Sequence, residues 1–173
     1  KLSSRARRSS VPERIEQMES QNITGELEEI LLTEEQILAR ISEMARQIEA
    51  DYAGENVLLV GVLKGAVMVM ADLARELNMQ VTMDWMAVSS YGNATRTSGV
   101  VRIVKDLDID LTDRDVIIVE DIVDSGLTLS YLRKTLAQRG ARSLEVCALL
   151  VREGLQKTDD DLRYVGFRIP PKF

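Results

Sequence analysis

The chain has 173 residues, of which 45% are hydrophobic and 29% charged, a composition typical of one globular domain with a single core. It contains no histidine and one cysteine, which excludes catalysis by imidazole, histidine-ligated metals and an intrachain disulfide. The net charge of -6 argues against a nucleic-acid partner. Lys64 interrupts the longest apolar stretch, so we expect no membrane span and a cytoplasmic protein.

The first predicted element is a helix that begins after Thr33. Residues 1–30 are mixed and charged, so we predict a partly disordered N-terminal arm ahead of a domain over residues 31–173. Thr33 and Gln36 match a capping box. The apolar side chains that follow at three- to four-residue spacing are Ile37, Ile41, Met44 and Ile48. This spacing predicts an amphipathic helix that runs to about Tyr52.

The next part of the chain alternates apolar runs with polar connections. The continuous apolar run Val57–Val62 predicts a strand buried on both faces, and a turn then leads into a predicted helix over Val67–Leu77. Met79–Val88 has the alternation of a strand, whereas Ser89–Gly99 is polar and is predicted to be a mobile loop.

The second half of the chain continues this alternation. The remaining predicted strands are Val100–Val104, Val116–Val119, Leu144–Val151 and Tyr164–Phe167. A helix is predicted over Gly126–Arg139, a solvated acidic connection over Asp106–Asp115 and a polar loop over Gly154–Asp161. Strands that alternate with helices predict an α/β fold with a mostly parallel sheet, and such sheets bind ligands beyond the carboxyl ends of their strands.

Two residue types are assigned to the core. The lone cysteine, Cys147, lies within an apolar run, which predicts a buried thiol in a strand. The seven methionines, including Met68 and Met70 on one predicted helix, are expected to fill gaps in the core.

The most informative segment is 116–128, in which a buried strand is followed by three carboxylates and then by the start of a helix. Backbone N–H groups at a helix start bind phosphate, Gly126 allows close approach, and Ser125 and Thr128 add hydroxyl donors. The three carboxylates are Glu120, Asp121 and Asp124. The first two can accept hydrogen bonds from the vicinal hydroxyls of a ribose or contact a divalent ion, and the third lies where a base could bond to it.

Segment 116–128 resembles the phosphoribosyl-pyrophosphate-binding motif of type I phosphoribosyltransferases. Three further segments narrow the resemblance to the hypoxanthine-guanine group: 63–66 is similar to its pyrophosphate loop, 89–92 to the start of its active-site lid, and 164–173 to its purine-binding segment. These motifs stand in family order. The resemblance implies a twisted, mostly parallel sheet with helices on both faces and a small hood, which is partly missing from this chain.

The resemblance also implies a role for each matched residue. Asp124 would be the acid/base group facing N7 of the purine, Arg152 would contact its exocyclic oxygen, and Phe173 would stack on the ring. The residues implied to bind the 5′-phosphate are Ser125, Gly126, Leu127 and Thr128. Those implied to hold the ribose and Mg²⁺ are Glu120 and Asp121. Those implied to contact pyrophosphate are Lys64, Gly65, Ser90 and Tyr91, and the family has a cis peptide between Leu63 and Lys64.

Two departures from the family concern the base pocket. Lysine is usual where this chain has Arg152, and a planar guanidinium differs from a point charge as a donor. The chain also ends at Phe173, whereas the family continues with a segment that completes the base pocket, adds an acidic residue near magnesium and supplies an arginine to pyrophosphate.

The implied activity is purine salvage, in which hypoxanthine or guanine receives the phosphoribosyl group of phosphoribosyl pyrophosphate. The implied cofactor is Mg²⁺ and the implied assembly is a homodimer or homotetramer. Two other classes of protein share part of this pattern. A regulator of the same fold would bind phosphoribosyl pyrophosphate without catalysis, as the shortened C-terminus allows. A receiver-like switch domain also ends a strand in paired acids, but it predicts no phosphate-binding helix start.

Overall fold

The described part of the protein, a computed structural model, comprises residues 30–91, 100–154 and 162–172. The chain divides into two units, Lys1–Thr33 and Glu34–Phe173. All helices and strands described below belong to the second unit, and most of the predicted N-terminal arm lies outside the described residues.

The described residues of the second unit form three helices and six strands. The helices are α1 (Glu34–Asp51), α2 (Val67–Glu76) and α3 (Leu127–Ala137). The strands are β1 (Val57–Leu63), β2 (Val81–Tyr91), β3 (Val100–Lys105), β4 (Asp115–Val123), β5 (Ser143–Arg152) and β6 (Tyr164–Ile169). They form one sheet in the order β3-β2-β1-β4-β5-β6, in which only the β2–β3 pair is antiparallel. This architecture confirms the predicted fold class.

The core lies on both faces of the sheet. In β1, Val57 and Leu59 belong to one buried cluster, whereas Leu58 and Val60 belong to the other. The first cluster takes its helical residues from α1 and α2, and the second takes them from α3. A strand covered on both faces needs apolar residues at every position, which explains the continuous run in the sequence. Burial of Cys147 in β5 is confirmed, and it raises the pKa of the thiol to about 12.

Two predicted boundaries are wrong because strand pairing extends beyond the apolar runs. Ser89–Tyr91, predicted as the start of a loop, belongs to β2 and pairs with β3 in an antiparallel hairpin. Backbone hydrogen bonds to a neighbouring strand override the polar composition there. Strand β4 likewise continues past Val119 to Val123, because its last residues pair with β5. Residues 92–99 of the predicted loop lie outside the described residues, as do residues 155–161.

Two methionines predicted to fill the core are exposed instead. Met68 is 70% exposed near the start of α2 and Met83 is 50% exposed on β2, whereas Met70 is fully buried. Helical spacing separates the neighbours Met68 and Met70 onto different faces of α2, and only the second face meets the sheet.

A network of charged and hydroxyl side chains joins the amino-terminal ends of the strands. Asp115, predicted as part of a solvated connection, is the buried first residue of β4. Its carboxylate accepts hydrogen bonds from Arg142 and from the Ser143 hydroxyl, the latter at 2.7 Å, and Arg142 also bonds to Glu55. The Arg142 guanidinium is the main reason that the pKa of Asp115 lies below its ordinary value.

A second set of contacts at this end of the sheet joins α1 to β6. The Tyr164 hydroxyl donates to the Asp51 carboxylate at 2.7 Å, and Arg163 forms an ion pair with the same carboxylate at 3.1 Å. The last turn of α1 is thereby fixed to the start of β6. No helix within the described residues is long and apolar enough to cross a membrane.

Candidate active site

The candidate site lies at the carboxyl ends of β1, β4 and β5, opposite the charged network. The loop after β1 contains the cis peptide between Leu63 and Lys64 that the family resemblance implied. Gly65 in this loop lies directly against the Asp121 carboxylate, and a Cβ atom at position 65 would overlap that carboxylate. Because β1 and β4 are parallel neighbours, their carboxyl ends bring two segments distant in sequence into contact. The structure therefore unites the predicted pyrophosphate loop with the predicted ribose-binding acids.

A pocket opens between the end of β4 and the first turn of α3. Its lining residues are Glu120, Ile122, Val123, Asp124, Ser125, Gly126, Thr128 and Leu129. Five of these residues were predicted from the motif to contact the substrates, namely Glu120, Asp124, Ser125, Gly126 and Thr128. The apolar walls were missed, because Ile122, Val123 and Leu129 carry no chemical signal in the sequence.

The turn into α3 suits an anion. Gly126 has a φ of 76°, in the left-handed region that glycine enters without strain. The first N–H groups of a helix have no partner within the helix, and the helix dipole adds a partial positive charge. No side chain caps α3 at Gly126, and Ser125 Oγ is 3.5 Å from the Leu127 nitrogen.

Glu120 is the buried carboxyl group of this pocket, with 7% of the residue exposed. Burial raises its pKa to about 8, and the negative charge of Asp121 adds to the effect. Among the described residues no cation or hydrogen-bond donor offsets these two influences. A ligand that brings a cation or a hydrogen-bond donor would therefore supply the partner that the Glu120 carboxyl group lacks.

Asp121 follows Glu120 in the same strand, so its side chain points to the opposite face of the sheet. It lies against Gly65, and its Oδ1 accepts a hydrogen bond from the Ile122 backbone at 2.8 Å. The two acids that the sequence groups together thus face the α3 pocket and the β1 loop, respectively. No cluster of three or more potential metal ligands occurs in residues 30–91, 100–154 and 162–172, so these two acids stand without a third protein carboxylate.

Asp124 and Arg152 meet beside the pocket. The Arg152 Nε atom lies 3.7 Å from Asp124 Oδ1, which is close enough for an ion pair but too far for a hydrogen bond. Nε is buried and has no hydrogen-bond partner, whereas the Asp124 side chain is 56% exposed. A buried donor without an acceptor is costly, so this atom is available to a ligand oxygen.

Three of the predicted contact residues lie wholly or partly outside the described residues. Ser90 and Tyr91 end β2, which puts their backbone on the edge of the antiparallel hairpin with β3. Their side chains, and the whole of Phe173, lie outside the described residues.

Comparison with known proteins gives one family for nearly the whole chain. The family model for the phosphoribosyl transferase domain matches residues 28–173. A hypoxanthine-guanine phosphoribosyltransferase of Mycobacterium tuberculosis is 51% identical over 155 residues, covering 86% of this chain and 77% of the relative. One from Bacillus subtilis is 43% identical over 148 residues, covering 86% of this chain and 82% of the relative.

Solved structures agree with the sequence relatives. A hypoxanthine-guanine phosphoribosyltransferase of Bacillus anthracis, with a HEPES molecule in the active site, superposes with a TM-score of 0.81 at 42% identity and covers 85% of this chain and 86% of the other. A ternary substrates complex of the Trypanosoma cruzi hypoxanthine phosphoribosyltransferase gives a TM-score of 0.78 at 39% identity, covering 83% and 82% of the two chains.

Proposed function

Because the chain belongs to the phosphoribosyl transferase family, and its relatives are hypoxanthine-guanine phosphoribosyltransferases, we propose that it transfers a phosphoribosyl group to hypoxanthine or guanine. The donor is phosphoribosyl pyrophosphate, and the products are IMP or GMP and pyrophosphate. The protein is thus a transferase of purine salvage. The single observation that carries the proposal is the pocket at the start of α3, where an anion site adjoins a buried carboxyl group and the Asp124–Arg152 pair.

The 5′-phosphate of the donor binds at the first turn of α3. Gly126 and Thr128 line this pocket at the helix start, where the dipole of α3 favours negative charge, and the backbone N–H groups of Gly126, Leu127 and Thr128 would bind the phosphate. The hydroxyls of Ser125 and Thr128 add two donors. This set of groups recognises a phosphate and carries no information about the base.

The ribose and pyrophosphate bind between β4 and the loop after β1. Glu120 accepts hydrogen bonds from the ribose hydroxyls, which lowers the cost of its burial. Lys64 and the backbone of Gly65 contact the pyrophosphate, while Ser90 and Tyr91 cover it from β2. Asp121 lies against Gly65 and so joins the two halves of this subsite.

The acids fit a magnesium site of the kind completed by substrate. Magnesium is usually bound by one or two carboxylates together with phosphate oxygens and water, and Glu120 or Asp121 would supply a carboxylate from its own side of β4. When bound, Mg²⁺ would neutralise charge on the departing pyrophosphate. The protein residues orient the donor so that C1 of the ribose faces the base.

The purine binds with its N7 and exocyclic oxygen toward Asp124 and Arg152. The buried Arg152 Nε donates to the oxygen at C6, and Asp124 accepts the proton at N7. As the bond from C1 to pyrophosphate breaks, N9 attacks C1, and the N7 proton passes to Asp124. An amino group at C6 would leave the Arg152 donor unmet, so adenine is rejected. By the family resemblance, Phe173 would stack on the ring.

The direct test is nucleotide synthesis by the full chain. Protein is mixed with phosphoribosyl pyrophosphate, Mg²⁺ and hypoxanthine, guanine or adenine, and nucleotides are separated and quantified. We expect IMP and GMP, little AMP, and no product after metal chelation. Binding of phosphoribosyl pyrophosphate without formation of any nucleotide would instead identify a regulator of the same fold.

The assembly of the enzyme is a separate part of the proposal. We expect a homodimer or homotetramer in solution, to be measured by light scattering coupled to size exclusion. A monomeric mass at micromolar concentration would contradict it.

A further inference from the structure

We propose that Arg40 of α1 is a positioning residue for purine binding, because it fixes the backbone of β6 next to the strand that carries Arg152. The inference rests on the proposed function, since it concerns the purine side of the same site. Arg40 itself touches no substrate.

Arg40 crosses from α1 to the backbone of a strand far away in sequence. Its Nε donates to the Gly166 carbonyl oxygen at 3.0 Å, and its Nη2 donates to the Val165 carbonyl oxygen at 2.7 Å. The remaining nitrogen, Nη1, donates to Glu43 on the same helix at 2.5 Å. Because the guanidinium is planar and rigid, two bonds to consecutive carbonyls fix both the position and the orientation of the strand.

The opposite side of this stretch of β6 is held by β5. Gly166 lies between Val165, which pairs with Ala148, and Phe167, which pairs with Leu150. A Cβ atom at Gly166 would overlap the carbonyl oxygen of Leu149, so the two backbones approach here more closely than any side chain allows. Arg40 and β5 therefore hold β6 between them.

The position of β6 is transmitted to the purine side of the site within a few residues. The pairing of β6 with β5 ends at Ile169 opposite Arg152, and the Glu153 backbone N–H donates to the Ile169 carbonyl at 2.9 Å. Ile169 lies three residues beyond Gly166, about 10 Å along a strand. A shift of β6 would therefore move Arg152, whose Nε has no other partner, relative to Asp124.

A simpler role for Arg40 would be to attach α1 to the sheet. That attachment already exists at the other end of the helix, where Asp51 bonds to Tyr164 and Arg163. These contacts lie at the start of β6, away from the site. Within segment 164–173 a contact with the base is implied only for Phe173, and the Tyr164 hydroxyl bonds to Asp51 instead, so removing that hydroxyl is a matched control that weakens the same helix–strand contact at the distant end.

The experiment compares Arg40→Met, Arg40→Lys and Tyr164→Phe with the wild type. Steady-state KM values for hypoxanthine and for phosphoribosyl pyrophosphate are measured with Tm. We expect Arg40→Met to raise the KM for hypoxanthine about tenfold or more, because displacements near 1 Å are sufficient for such effects. The KM for phosphoribosyl pyrophosphate should change little. Arg40→Lys should recover part of the loss, since one donor is restored.

The control variant distinguishes a loss of stability from a loss of positioning at the purine side of the site. Tyr164→Phe should lower Tm without changing the KM for hypoxanthine. Equal increases in both KM values for Arg40→Met, or a lower Tm with unchanged kinetics, would overturn the inference. If Arg40→Met does not fold, Arg40→Lys must show the same selective increase in the KM for hypoxanthine.

A second readout does not depend on activity. Amide hydrogen exchange of residues 164–169 should be faster in Arg40→Met than in the wild type, and faster than in Tyr164→Phe toward Ile169. Absence of nucleotide synthesis by the wild type would refute the proposed function, whereas unchanged exchange in β6 would refute the role of Arg40.

Discussion

Each end of β4 has a buried carboxyl group, and the surroundings of the two groups shift their pKa values in opposite directions. Asp115 begins the strand and is 5% exposed, while Glu120 lies near its end and is 7% exposed. Asp115 has Arg142 and Ser143 as partners, and the pKa of its carboxyl group is lowered. Glu120 has burial and the charge of Asp121 acting on it, and its pKa is raised to about 8.

This difference distinguishes a carboxyl group that stabilises the fold from one that a ligand can bind on the same strand. A buried carboxylate is tolerated in a folded protein when hydrogen bonds and opposite charge replace water, as they do around Asp115. Within the described residues, no hydrogen bond or opposite charge replaces water around Glu120, and no acceptor bonds to Arg152 Nε. Groups left without partners at one end of the sheet are the groups that a ligand can satisfy, so we expect the carboxyl end of the sheet to bind the substrates and the amino end to stabilise the fold.

The largest expected effect is at the carboxyl end. Asp124→Asn keeps the shape of the side chain but removes the proposed proton acceptor at N7. We expect turnover to fall by about 10²–10⁴-fold with little change in Tm, because Asp124 is exposed and removal of a general base has effects of this size. Single-turnover kinetics at saturating substrate checks the effect on chemistry. An unchanged rate would reject the assignment.

Arg152→Met should have the next largest effect. It removes the buried Nε that we propose as donor to the exocyclic oxygen but keeps most of the apolar stem, so kcat/KM for hypoxanthine should fall about 10–100-fold. The ratio of hypoxanthine to adenine turnover should fall with it. Arg152→Lys is the matched variant and should retain that preference. A ratio unaffected by Arg152→Met would show that the base is selected elsewhere.

Asp115→Asn should affect the other end of the sheet. It removes the charge that Arg142 and Ser143 bind, and the free energy of unfolding should fall by about 1–3 kcal/mol, with kcat and both KM values unchanged. Thermal denaturation at pH 7 gives the measurement. In the wild type this contribution is present above the ordinary pKa of Asp115 and is lost as pH falls through its lowered value. A kinetic defect in Asp115→Asn would contradict the division between the two ends.

The smallest expected effect is a pH-dependent gain from Glu120→Gln. Since the pKa of Glu120 is raised from 4.5 to about 8, the unfolded chain loses this proton first, and stability falls as pH rises between those values. Glutamine does not titrate, so the variant without substrate should gain about 2–4 °C in Tm relative to wild type between pH 5 and pH 8. Asp115→Asn should show no such gain. Equal Tm differences at both pH values would mean that Glu120 is not strained by burial.

Much of the fold could be predicted because single elements carry their own signal. The period of Ile41, Met44 and Ile48 is that of α1, and the unbroken run of β1 is that of a strand covered on both faces. The strand residues Ser89–Tyr91 could not be predicted, because their partner is another strand and their composition is that of a loop. Exposure of Met68 depends on which face of α2 meets the sheet, and no local pattern reports it.

The candidate site was predicted to a similar extent and for a similar reason. The motif at 116–128 lies on one strand and one helix start, so its residues assemble locally. The separation of Glu120 from Asp121 depends on how far β4 extends, and the bonds from Arg40 to β6 join residues 126 and 125 positions apart. Long-range contacts of this kind depend on the packing of complete elements, which a sequence pattern does not contain.

The contact between Gly65 and Asp121 has a consequence for how this chain can change during evolution or design. Any larger residue at position 65 would have to displace the acid, and the acid is the neighbour of the buried Glu120. The Asp121 side chain therefore restricts which residues can occupy position 65. A larger residue at position 65 becomes acceptable only in a background where Asp121 has already been replaced by a shorter residue, and a library that varies position 65 alone will recover glycine.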